Sequence, residues 1–510
     1  MKRLISIFIC AALLAGLFGC GDQTVYVPSG DGLYEPTETE PGITPTEPEK
    51  EQELTLVYYP NKTLNPYKTT DFTNRTLFSL LYQGLFAVTR EYEARPILCE
   101  SYSVSKDMKT YTFRMAPATF SDGAALTVED VVASLQAAQS SAVYKGRFTQ
   151  VRSIYAADDG SLVISLSTPY ENLPLLLDVP IVKAADVTAD QPLGTGPYML
   201  ENSIAGLRLR RRSNWWCSAQ LPVTASYISL TKAESPSQIR DEFQFADVGL
   251  VCADPGSDTY ADFRSDYELW DCENGIFLYM GCNLSSEVFG NATVRAALTH
   301  AINRDLLVER YYRGFARSAS LPASPLSPWY NNKLAERYDH DPEVFLKALE
   351  HTGLQGKTVT LLVNSDDTMR IRAARAIAQM LSDCGLVVKL SELGGSKYRN
   401  ALKQGQFDLY LGQTKLSPNM DLSPFFTAKG ALNYGSMADA AMQSRCWDAL
   451  ANSGNYYTLH QTVMADGRLV PILFRSYAVY TSRGLLEELE PSRDNIFYYD
   501  LGRSAADVLQ

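Results

Sequence analysis

Histidine is scarce in this chain. There are four in 510 residues (His300, His340, His351 and His460), and none is spaced as the His-x-x-x-His pair that puts two imidazoles on one helix face. A Gly-x-Ser-x-Gly nucleophile elbow and a Gly-x-x-x-x-Gly-Lys-Ser/Thr phosphate loop are also missing. Leu393-Gly394-Gly395-Ser396-Lys397 lacks the spacing of a phosphate loop and reads as a strand-to-helix turn. The adjacent carboxylates Asp158-Asp159 and Asp366-Asp367 stand in turn-like contexts, where a solvated turn is the ordinary role. No cofactor, no metal site and no catalytic residue is expected. Carboxylate pairs of the glycosidase kind leave no mark in a sequence, so a hydrolase stays open as an alternative.

Long apolar runs are equally rare, and their one occurrence is informative. Lys2 and Arg3 precede an apolar run from Leu4 to Phe18, broken by Ser6 and Gly16; Gly19 and Cys20 follow. Basic, apolar and small residues in that order form a secretory signal segment, too short for a spanning helix. The ending Leu17-Phe18-Gly19-Cys20 resembles a bacterial lipobox, which implies cleavage before Cys20 and lipidation of that residue. Phe18 is bulky for the motif. The expected localisation is the outer face of a bacterial cell membrane, held by the lipid.

From Gly21 to Glu53 there are nine acidic residues and one basic residue, with prolines at 28, 36, 41, 45 and 48. Such a stretch has too little apolar surface to offset the entropy of ordering. It reads as a tether of roughly 30 Å root-mean-square span. It also holds most of the acidity. Of the formal net charge of −12, about −6 remains on the body once signal and tether are set aside, which argues against nucleic-acid binding.

The body from Leu54 onward is too long for a single core and too varied for a repeat, so two or three domains are expected. Its pattern is α/β. Strands are read at 54–58, 111–115, 162–166, 358–363, 387–390 and 407–411. Helices are read at 72–85, after the Thr127-x-x-Asp130 capping signal, from Asn291 to Val308, and at 369–383. Seven cysteines follow Cys20, with no Cys-x-x-Cys. Buried thiols are the simpler reading, and a Cys272–Cys282 bridge stays open. The 30 tyrosines suit recognition in a cleft, although most will serve in packing.

Several stretches in order carry a resemblance. FSDGAALTVEDVVASL at 120–135 is similar to the Phe-x-Asp-Gly-x-x-Leu-Thr-Ala-Glu-Asp-Val signature of family 5 extracellular solute-binding proteins, the peptide- and nickel-binding group of ABC importers. LNPY at 64–67, LLYQGLF at 80–86, SVSKDMKTYTFRM at 103–115, PLGTGPYML at 192–200, NATVRAALTHAINRDLLVERYYRG at 291–314, GQFDLYL at 405–411 and VPILF at 470–474 fit in order. The resemblance implies a two-lobed periplasmic-binding-protein-like fold with the ligand between the lobes. Lobe one would comprise 54–83, 193–275 and 470–510, an extra subdomain 84–192, and lobe two 276–469. It also implies a small solute, an oligopeptide or peptide-like compound, as partner, and a permease with its ATPase. The chain would act as a monomer.

In peptide binders of this family an aspartate on lobe two holds the peptide ammonium. The corresponding stretch here is KLSPNMDLSPFF at 415–426, which puts Pro418 at that position unless a shift of three residues lets Asp421 serve. Gln83 replaces a frequent Glu. The cleft residues expected are Tyr59, Tyr82, Gln83, Gly84 and Leu85 on lobe one, and Trp329, Lys415, Asn419, Asp421, Asn433 and Tyr434 on lobe two. Nickel finds no histidine in these stretches. A surface sensor or adhesion module on the same fold is the second reading and a secreted hydrolase the third.

Overall fold

The computed structural model describes residues 54–496, apart from 220, 222, 224, 246, 256–265, 487–488 and 494. The expected signal segment, Cys20 and acidic tether lie outside the described residues. The first strand, Leu54–Tyr58, runs parallel to Tyr227–Lys232, and Gly206–Arg211 and Tyr198–Ser203 extend the sheet antiparallel. Its side chains divide between two cores. Leu54, Leu56 and Tyr58 enter one apolar cluster and Val57 another, as expected for a strand covered on both faces.

A second four-stranded sheet, fully antiparallel, holds Cys99–Val104, Thr110–Met115, Leu162–Leu166 and Val151–Ala156. Helix Val128–Ser140 packs on it and opens on a complete capping box. The Thr127 hydroxyl accepts from Asp130 N, and the Asp130 carboxylate accepts from Thr127 N at 2.9 Å. Val131, Leu135 and Ala138 share one apolar cluster with Leu54, Leu80 and Leu98, so this sheet and the first share a core.

The largest sheet among the described residues has seven strands. Thr358–Asn364 lies parallel to both Val387–Leu393 and Leu409–Lys415, and helix Thr368–Asp383 makes the first crossover. This is the strand-helix-strand unit read from the sequence. Two long strands join the lobes. Tyr267–Glu273 pairs with Ser476–Ser482, which on its other edge meets Leu250–Ala253. The ladder breaks between Glu273 and Phe277, where Gly275 has φ +71°. Beyond the break, Phe277–Gly281 pairs with Leu469–Phe474 on one edge and with Leu409–Lys415 on the other. The chain thus passes between the lobes along paired strands.

Three local expectations are corrected. The helix read over 72–85 is two short turns, Phe72–Arg75 and Phe78–Leu81, and Tyr82 is already extended. The helix read from Asn291 to Val308 stops at Leu298 and continues as a 3-10 turn. Ile302 is extended and Asn303 caps the next turn by accepting from Leu306 N at 2.9 Å. The break lets Arg304 turn inward to the carbonyls of Ala319 and Pro471. The strand read at 407–411 begins at Leu409. All seven described cysteines are free thiols. Cys272 and Cys282 stand ten residues apart on one strand, about 30 Å at the usual rise, too far to bridge. No helix among the described residues is long and apolar enough to cross a membrane.

Candidate functional site

A cavity of about 460 Å³ opens where segments of the two lobes face each other. One wall holds Thr70, Phe72, Arg75, Val143, Gly146, Arg147, Tyr477 and Arg493; the other holds Thr414 to Ser417, Asp421, Pro424 and Leu432. Phe72 and Tyr477 form an aromatic pair with ring centroids 4.0 Å apart. The Arg75 guanidinium lies over the rings of Phe78 and Tyr144, and Arg147 is ion-paired to Asp178. Arg493 donates to the Leu416 carbonyl at 2.7 Å.

Against these four basic side chains, the wall presents one described carboxylate, Asp421. Asp421 is buried and accepts from Ser423 N at 2.7 Å and from the Ser423 hydroxyl at 3.0 Å. Burial pushes its carboxyl above the usual carboxylate range, and the two Ser423 hydrogen bonds offset this only in part. Among the described residues, no lysine, arginine or histidine forms an ion pair with it. Asn419, two residues earlier, is also buried. It donates to the Tyr170 hydroxyl at 2.7 Å, and its backbone carbonyl accepts from Tyr456.

Of the residues singled out from the sequence, Lys415 and Asp421 line this cavity. Tyr82, Gln83 and Gly84 border a separate, much smaller void of about 30 Å³. Gln83 accepts there from the Trp216 indole at 2.9 Å, Tyr82 donates to the Leu64 carbonyl, and a Cβ on Gly84 would meet the Phe86 carbonyl at 2.8 Å. Leu85 and Tyr59 are buried in two apolar clusters. Trp329 stacks on Tyr456 at 4.8 Å. Asn433 and Tyr434 border a third cavity, with Asn283 and Lys403. Phe72, Arg75, Arg147, Tyr477 and Arg493 were not singled out. They come from four separate stretches, with Phe72 and Arg75 on one short helix, and no local pattern marks them.

The motifs that carried the resemblance are structural knots. A Cβ on Gly194 or Gly196 would strike the carbonyls of Leu81 or Leu80 at 2.1 and 2.5 Å, so the Gly-Thr-Gly segment is what lets 80–83 lie against it. Arg212 ties that segment to the Phe-Ser-Asp-Gly turn by donating to the carbonyls of Thr195, Gly196, Thr119 and Phe120.

Two lobes joined by paired strands, with a charged cavity between them, define a two-lobed binding protein of the periplasmic type. Residues 93–434 match the profile described as bacterial extracellular solute-binding proteins, family 5 middle. The chain belongs to this family. Among curated proteins it is similar to the glutathione-binding protein GsiB of Shigella flexneri, 24% identical over 392 residues, covering 72% of this chain and 76% of that one. It is likewise similar to GsiB of Pectobacterium atrosepticum, 26% identical over 347 residues, covering 65% and 67%. Among solved structures, HbpA2 from Haemophilus parasuis superposes with a TM-score of 0.75 at 17% identity, over 89% of this chain and 99% of that one. The ABC transporter substrate binding protein CtaP from Listeria monocytogenes gives 0.72 at 18%, over 88% and 97%. By name, GsiB binds glutathione and CtaP is the substrate binding protein of an ABC transporter. The chain is a binding protein of that class, acting outside the cytoplasm.

Proposed function

We propose that this chain is the lipid-anchored receptor of an ABC importer, closing its lobes over a peptide-like solute with a free amine and passing it to a permease and its ATPase. The lobes would be those read from the sequence, 54–83, 193–275 and 470–510 against 276–469, with 84–192 as the extra subdomain. Cys20 would carry the lipid. The observation that carries the reading is Asp421. A buried carboxylate with no cation beside it is unfavourable unless it is protonated or a partner arrives. A ligand ammonium entering the cavity would be that partner, and it would return the carboxylate to its ionised form.

Asp421 then does for this chain what Pro418 cannot. Arg75, Arg147, Lys415 and Arg493 on the same cavity suit the carboxylate end of such a solute. Phe72 and Tyr477 supply apolar contact for its middle. Glutathione, which the curated relatives bind, is a peptide with one amine and two carboxylates. Ligand-dependent hinge motion would occur where the crossing strands break at Gly275.

The test is a thermal-shift series on ligand-stripped protein with reduced glutathione, tri-alanine and N-acetyl-tri-alanine. At least one free-amine peptide raises Tm, and the acetylated one does not. In Asp421→Asn the affinity falls by about 100-fold, since losing one partner of a buried pair costs about 3 kcal/mol. Equal shifts with free and acetylated peptides, no shift with either, or an unchanged affinity in the variant would overturn the reading.

A further inference from the structure

The loop that carries Asp421 is also held by the extra subdomain. The contact is made by Tyr170 and Glu171, which follow the strand Leu162–Leu166. Tyr170 is fixed from its own side: its backbone N–H donates to the Met108 carbonyl at 3.2 Å, and its carbonyl accepts from the Tyr111 hydroxyl at 2.5 Å. Its buried hydroxyl accepts from Asn419 Nδ2 at 2.7 Å. Asn419 is in turn fixed by Ser417, whose hydroxyl donates to Asn419 Oδ1 at 2.7 Å, and by Tyr456, which donates to its carbonyl.

Glu171 makes the second hold. Its backbone N–H donates to the Leu450 carbonyl at 2.8 Å, at the end of helix Ala440–Ala451, and its carboxylate accepts from Ser453 N at 2.5 Å. Ser453 opens the short turn that leads to Tyr456. Tyr456 returns to Asn419, so both holds converge on the 417–421 loop. Leu175, a few residues further on, is buried in the same apolar cluster as Met420, Leu422 and Phe425.

We infer that Tyr170 and Glu171 are positioning residues, a clasp by which the extra subdomain holds the 417–421 loop with Asp421 presented to the cavity. This rests on the reading of Asp421 as the amine anchor. It adds that the anchor is formed only while the subdomain and the second lobe are engaged, which couples ligand capture to closure. A loop released from Tyr170 keeps its Asp421–Ser423 hydrogen bonds but loses the contact that orients it.

The test is hydrogen–deuterium exchange on the mature chain, with and without tri-alanine, for wild type, Tyr170→Phe, Glu171→Ala and Asp421→Asn. In the ligand-free protein, exchange over 416–423 rises by about tenfold in Tyr170→Phe and in Glu171→Ala, the effect of one lost hydrogen bond. Exchange in the strand Thr358–Asn364 stays at its wild-type rate. Tri-alanine affinity falls about tenfold in both variants. Asp421→Asn keeps the wild-type protection and loses tri-alanine, which separates failure of the clasp from failure of the anchor. Unchanged protection over 416–423 in both clasp variants would overturn the inference. So would an equal rise across the whole second lobe, which would mark a purely structural role.

Discussion

At the scale of single residues, two buried titratable groups carry testable consequences, Asp421 and His460. Asp421 lines the cavity, and its unfavourable burial is one a ligand can relieve. His460 is fully buried beside the Tyr456 ring, and neither ring nitrogen has a hydrogen-bond partner among the described residues. Burial pushes its imidazole down to about 3. An unfolded chain titrates this group near 6.5, so between those two values the unfolded state binds more protons than the folded one. Stability contributed by neutral His460 is therefore complete above about pH 6.5 and is lost as the pH falls, at about 1.4 kcal/mol per pH unit for a single proton. In His460→Phe that slope disappears. Urea midpoints taken from pH 7 to pH 4 should fall less steeply in the variant than in the wild type; parallel curves would refute the assignment.

At the scale of elements, most of what the sequence carried was local and survived folding. The Thr127–Asp130 signal produced the capping box as read, and the parallel unit from Thr358 to Leu393 formed as alternation and amphipathic spacing require. Thr127→Ala removes a hydroxyl that accepts from Asp130 N, and should lower stability by about 1 kcal/mol in denaturant unfolding with ligand affinity unchanged. A loss of affinity would mean that the helix reaches the cavity. The elements misread were those whose ends are decided by distant contacts. The helix read over 72–85 ends at Leu81, where the carbonyls of Leu80 and Leu81 lie close against Gly194 and Gly196. The spacing over 291–308 breaks because Arg304 is drawn to carbonyls more than a dozen residues away. A helical period in the sequence records which side chains are buried and says nothing of a backbone pulled aside to satisfy a buried cation.

At the scale of the whole molecule, the family resemblance was legible because its motifs are packing knots: glycines at close approaches, the Phe-Ser-Asp-Gly turn, Arg212 between them. For the same reason those motifs pointed poorly to the cavity. Tyr82, Gln83, Gly84 and Leu85 were drawn from such a knot, and the structure places them in packing. Lys415 and Asp421 were drawn by family analogy from the 415–426 stretch, and both line the cavity. Its remaining wall comes from segments as far apart as Phe72 and Arg493, which only the folded chain brings together. The central claim is that the two lobes capture an amine-bearing solute on Asp421. Native mass spectrometry of freshly purified protein tests it most directly, because a closed binding protein retains its solute through purification. The wild type should carry a small molecule with a free primary amine, and Asp421→Asn purified in parallel should be bare. A retained solute with no amine, or the same solute retained by both proteins, would contradict the account.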